Sequence, residues 1–155
     1  MTAKDVLLAL LEEAYDKTSW HGPNLRGALR GMKEPEIDWR PAPGRHSVRE
    51  EAIHAAYWKY RVRRRLTGDE DAVFALPGSD WFTKERGRSW ARELELLAGE
   101  HRQLRAAVAA MSNRRIGQPI LSTGATAAYL IRGIAAHDLY HAGQIRLLKR
   151  LMRSR

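Results

Sequence analysis

Gly133-Ile134-Ala135-Ala136-His137-Asp138-Leu139-Tyr140-His141-Ala142-Gly143-Gln144-Ile145 is the stretch on which the fold turns. Leu130, Ile134, His137, His141, Ile145 and Leu148 recur through and around it at spacings of three and four, the period of one helix face. The pattern predicts a helix from about Gly124 or Ala125 to Met152. His137 and His141 then project from one side, about one turn apart, and two neutral imidazoles so placed can chelate a divalent transition metal. They also interrupt an apolar stripe that should face the interior. Two imidazoles without partners there cost several kcal/mol between them, to order of magnitude. A metal is one remedy and hydrogen bonds within the core are the other. The zinc-protease pattern H-E-x-x-H is not met, because Asp138 holds its second position.

Three further helices are expected upstream. The first spans about Ala3 to Lys17, with Val6, Leu7, Leu10, Leu11 and Tyr15 on one side. His21-Gly22-Pro23 interrupts it, and Asn24 to Leu29 resume a turn or two, so the break reads as an end or a kink. Residues 33–46 hold Pro35, Pro41, Pro43 and Gly44 and predict an ordered connection. Ser47-Val48-Arg49-Glu50 is a capping-box pattern that starts a second helix, running to Thr67 with Gly68 as its stop. His54 interrupts its apolar residues much as the later pair does. A third helix should begin between Thr83 and Trp90 and end near Met111, with Leu94, Leu97, His101, Leu104 and Val108 as its inner stripe. Ser112 to Thr123 is the next connection. No segment alternates as a half-buried strand does. The fold class expected is all-α, four long helices in a bundle, and the length fits one domain over residues 1–155.

Composition narrows the partners. No apolar run approaches the roughly 18 residues of a membrane span, and acids at Asp5, Glu12 and Glu13 do not suit a signal peptide, so a cytoplasmic protein is expected. The chain has no cysteine, hence no disulfide framework and no thiolate of its own. The net charge of +9 is unevenly spread: residues 47–68 carry six bases against two acids, and 112–155 carry eight against one. That excess reads as a solvated face, as steering for an anionic small molecule, or as a nucleic-acid footprint. The bases of the second helix surround it instead of forming one ridge and no recognition motif is present, so nucleic acid is the weaker reading.

The histidines rank unequally. His46 precedes the helix cap and is expected to be exposed. His101 reads as a buried or boundary histidine, and His21 as a pocket residue near the break.

Taken together the motifs resemble those of the DinB-like superfamily, which includes the YfiT-type proteins. The resemblance rests on Trp20-His21-Gly22-Pro23-Asn24-Leu25, on Pro41-Ala42-Pro43-Gly44-Arg45-His46-Ser47, and on Glu51-Ala52-Ile53-His54-Ala55-Ala56-Tyr57-Trp58. It continues through Arg64-Arg65-Leu66-Thr67-Gly68 and closes with His137-Asp138-Leu139-Tyr140-His141-Ala142-Gly143-Gln144-Ile145. It implies a bundle with one longer crossover, frequent homodimers, and a metal held by one histidine of the second helix and the pair on the fourth. By that resemblance His54, His137 and His141 are the three ligands, for zinc, nickel or iron. Relatives of this kind include thiol-dependent S-transferases and an isomerase that use low-molecular-weight thiols.

A site of three neutral nitrogens leaves an open position, as catalytic sites do. The reading is therefore a metal-dependent enzyme of thiol S-transferase or hydrolase type, acting on a small molecule with a possible thiol co-substrate. The alternative is a non-catalytic binding protein with a structural metal and a basic surface. Glu50, Glu51 and Gln144 are placed to support the ligands. Tyr57 and Tyr140, each three residues after a ligand, are candidates to donate a proton or line the pocket, and Arg61 is a candidate carboxylate anchor. Asp138, about 100° from His137 around the helix, is expected on the surface.

Overall fold

The computed structural model describes residues 1–83 and 88–154. Helix ends follow local chemistry. Helix α1 (Ala3–Tyr15) starts with a capping box in which the Asp5 amide donates to the Thr2 hydroxyl and the Thr2 amide donates to the Asp5 carboxylate. It stops two residues short of the expected Lys17, because the Asn24 amide donates to the Lys17 carbonyl at 2.7 Å and turns the chain. The same Asn24 caps α2 (Leu25–Leu29), so the break is an end and not a kink. Leu7, Leu11, Ala14 and Tyr15 form the inner face of α1, while Val6, expected among them, is exposed.

Helix α3 (Val48–Thr67) keeps its predicted bounds, with the Ser47–Glu50 box at its start and Gly68 at φ 71° at its end. Only a residue comfortable in the left-handed region closes a helix this way. Ser89 caps α4 (Trp90–Ala110), and Thr126 caps α6 (Ala127–Arg153). Between them the connection hides a single turn, α5 (Asn113–Ile116), which sequence periodicity does not reveal. A short 3-10 turn at Glu36–Asp38 lies in the connection before α3. Among the described residues the chain is all-helical apart from one isolated bridge between Pro119 and Thr126.

The extensive contacts run from α1 to α6, α6 to α3, α3 to α4 and α4 back to α1, a closed ring of the four long helices. Chain neighbours α1 and α3 therefore lie across the ring from each other, as do α4 and α6. The connections from α1 to α3 and from α4 to α6 thus join helices on opposite sides of the ring. The core has two parts, one around Leu25, Ile37, Ile53 and Ile145 and one around Leu11, Leu104, Ile116 and Ile131, with Trp58 packed against both.

Charged residues are buried between the helices as well. Arg49, fully buried, donates to Asp38 at 2.6 Å and also binds Glu93, which fastens the connection before α3 to α4. Lys149 donates to the carbonyls of Ala28 and Arg30 at 2.8 Å each and so closes the end of α2 against α6. Asp138 corrects an expectation. It is fully buried and paired with Lys59 of α3, because α6 is covered by α3 on the side where a surface was foreseen.

Candidate metal centre

His54 of α3 and the pair on α6 meet where the two helices face each other. Nε2 of His137 lies 3.2 Å from Nε2 of His54 and 3.0 Å from Nε2 of His141. Three nitrogens bound tetrahedrally at 2.0–2.1 Å stand about 3.3 Å apart, so these two separations fit a shared metal ion, and one ring nitrogen from each of the three residues lies within 4.8 Å of the others. No other cluster of three histidine or carboxylate donors occurs among the described residues.

The far sides of the rings explain the convergence. Nδ1 of His54 donates to the backbone carbonyl of Asp80 at 2.9 Å. Nδ1 of His141 donates to the Glu51 carboxylate. A carbonyl and a carboxylate only accept, so each Nδ1 carries the proton and each Nε2 presents a lone pair to the shared centre. This outer support is the arrangement that fixes tautomer and ring direction in metal-binding histidines. His137 has no such partner: its buried Nδ1 is unbonded among the described residues. Burial pushes its pKa down to about 3, helped by the neighbouring His141 and His54, and burial lowers His54 too. A neutral His137 has at most one Nε2 proton for the two lone pairs that face it at about 3 Å, whereas a cation at the centre would satisfy all three nitrogens together.

The loop before α4 completes the wall. Asp80 sits at φ 63°, a left-handed backbone that costs a non-glycine residue energy and is held by its contacts. Its carbonyl binds His54 and its carboxylate accepts from Trp58 Nε1 at 2.8 Å. Trp81 is stacked between His54 and His46, with centroids 3.9 Å and 3.5 Å away. Neither Asp80 nor Trp81 was foreseen. The signal available was the pair Trp81-Phe82 directly after the Pro77-Gly78 turn.

Beside His141 opens a cavity of about 460 Å³, lined by Arg45, His46, Glu51, Trp81, Tyr140 and Gln144 and, farther out, by Leu147, Leu148 and Leu151. It lies in the range of small-molecule sites. Of the foreseen supports, Glu51 and Gln144 are there. Glu50 is not, being occupied by the Ser47 amide and Arg40. Tyr140 lines the cavity, exposed and edge-on to His141. Tyr57 and Arg61 are elsewhere. Tyr57 is buried among Trp58, Tyr60, Phe74 and Phe82, and its hydroxyl accepts from Arg61 at 2.7 Å. His46 is half-buried against Trp81 instead of exposed. His101 is buried and stacked on Tyr15 at 3.9 Å, and His21 lines a separate cavity with Leu139 and Arg146.

No helix among the described residues is long and apolar enough to cross a membrane. No curated protein and no solved structure matches the chain. A family pattern described as the DinB superfamily matches residues 17–145. With the helical ring and the histidine cluster already in view, the chain belongs to the DinB superfamily.

Proposed function

We propose that the chain is a metal-dependent enzyme of thiol S-transferase or hydrolase type, built as a four-helix bundle, with His54, His137 and His141 holding one divalent ion of zinc, nickel or iron. One observation carries this reading: the Nδ1 protons of His54 and His141 are both committed outward, so their Nε2 lone pairs converge on His137. A divalent ion with an open position supplies a Lewis acid that brings the pKa of a water or thiol toward neutrality.

The chain's own residues supply the rest. Glu51 and the Asp80 carbonyl hold two rings in place, and Trp81 shields His54 from solvent. A small-molecule substrate or thiol enters through the cavity beside His141. There Arg45 takes the anchoring part foreseen for Arg61 and meets an anionic group, while the leucines of α6 cover an apolar portion. The Tyr140 hydroxyl stands at the rim as the candidate proton donor.

A second copy is the expected partner. Tyr129, Gly133, Ala136, Tyr140, Gly143, Leu147 and Leu151 recur at three and four along α6, all exposed. This outward stripe suits a second helix. The nucleic-acid reading draws less support. Arg61, Arg63, Arg64 and Lys149 are spent on Tyr57, Glu100, the carbonyls of the following loop and the end of α2.

The test is elemental analysis of protein purified without a histidine tag, beside His54→Ala, His137→Ala and His141→Ala. Stoichiometric metal in the parent and its loss in each variant is expected, and full metal in all three variants refutes the site. A thiol-transfer and ester-hydrolysis screen with and without that metal then separates the two reaction classes. Absence of any salt-sensitive gel shift at low ionic strength removes the nucleic-acid alternative.

A further inference from the structure

Deeper in the ring, one polar side chain from each long helix meets the others. Lys59 of α3 and Asp138 of α6 are both fully buried and bonded to each other. Lys59 Nζ also reaches Nδ1 of His101 on α4 at 3.4 Å, and lies 5.1 Å over the ring of Tyr15 on α1. The Asp138 carboxylate has no other support, since its second oxygen is buried and unbonded among the described residues.

Such a pair is a poor device for stability. Two charges taken out of water lose more hydration than their attraction returns, and apolar residues of similar volume hold a core as well or better. The best-attested use of a buried polar pair is to fix register, the alignment of one helix on another. Its place in the chain suits that use. Asp138 lies between His137 and His141, and Lys59 lies five residues after His54. Apart from the histidine cluster and Glu51, this is the one polar link between α3 and α6 among the described residues.

The required tolerance is small. A helix with its side chains has a radius of about 5–6 Å, so a roll of about 20° carries a side-chain tip about 2 Å. Metal sites accept errors of about 0.2 Å in bond length. Leucine and isoleucine contacts alone are adaptable and let a helix roll over such angles with little penalty. A single hydrogen-bonded ion pair in the middle of the interface does not.

We propose that the Lys59–Asp138 pair is a positioning device that sets the rotation of α6 on α3, and thereby brings His137 and His141 onto His54. The inference rests on the three-histidine reading, and the experiment separates the two. Co²⁺ is titrated into the full-length, tag-free chain and followed by its visible d–d absorption. One bound ion with a tetrahedral-type band in the parent supports the reading; no binding overturns both.

The same titration is then run on Lys59→Met/Asp138→Leu and on Lys59→Gln/Asp138→Asn. The apolar pair is expected to unfold without metal at the parent's denaturant midpoint or above. Its Co²⁺ affinity should nevertheless fall about 10- to 100-fold, with a weakened or displaced band. The amide pair keeps a hydrogen bond across the interface and is expected to restore the affinity and the band. If the apolar pair binds Co²⁺ with the parent's affinity and spectrum, the positioning role is wrong. Should the apolar pair fail to fold, the amide pair decides alone: binding with the parent's band supports the role, and folded protein with a lost band overturns it.

Discussion

The Glu51 carboxylate accepts the Nδ1 proton of His141, a bond that joins α3 to α6 on the outer side of the histidine cluster. Glu51 and His54 are one turn apart on α3, so a single helix supplies both one candidate ligand and the hydrogen-bond partner of another. Removing the carboxylate frees the imidazole to turn and to exchange tautomers. Glu51→Ala should weaken metal binding about 10- to 100-fold while leaving the fold intact. Competition with a chromophoric chelator measures this, and an unchanged affinity would show that the bond has no part in holding the ring.

Buried Lys149 yields a stability prediction independent of any metal. Its ammonium satisfies the Ala28 and Arg30 carbonyls, the second lying just past the last turn of α2. Lys149→Met fills the same space and leaves both carbonyls without their donor. The expected loss is about 1–3 kcal/mol, read from denaturant unfolding at neutral pH. A variant as stable as the parent means that water replaces the donor without penalty.

The pH dependence follows from His101. Burial pushes its pKa down to about 3, with Lys59, Arg105 and Arg102 adding repulsion. In the unfolded chain a histidine titrates near 6.5, so below that pH the unfolded state takes a proton that the folded state refuses. Stability is therefore fully present above about pH 6.5 and drains away as pH falls toward about 3. His101→Phe keeps a ring against Tyr15 and removes this proton. Between about pH 7 and about pH 5 the metal-free variant should lose less stability than the metal-free parent. Equal losses would assign the acid sensitivity to other groups.

These residues also show what the sequence makes legible. Helix limits were readable at α3 because Ser47, Glu50 and Gly68 act within four residues of themselves. The histidine pair was readable because its spacing equals one helical turn. Asp80 and Trp81 were not, since their partners His54 and His46 lie in a different part of the chain and the loop between has no period. Asp138 misled for a related reason. An acid on a helix suggests a surface, and only Lys59, seventy-nine positions away, reverses that inference. Tyr57 and Arg61 share a helix with His54, but they pack into an aromatic cluster and onto each other.

The outer stripe of α6 supplies a prediction in which two effects have opposite signs. Glycine inside a helix costs roughly 0.5–1 kcal/mol relative to alanine, so a chain retains one there for a reason. Within the protomer Gly143 has none: a Cβ built on it meets nothing within 4 Å, and the same holds for Gly133. Gly133 lies between exposed Tyr129 and Tyr140, and Gly143 between exposed Tyr140 and Leu147, where an absent side chain lets another backbone approach closely. Gly143→Leu should therefore raise the stability of the isolated protomer by about 0.5–1 kcal/mol. If a second copy packs on this face, the same leucine should hold the two helices apart and shift sedimentation from dimer toward monomer. A variant that gains protomer stability and associates as the parent does would place the partner on another face. A variant that loses stability would mean that Gly143 serves the protomer itself.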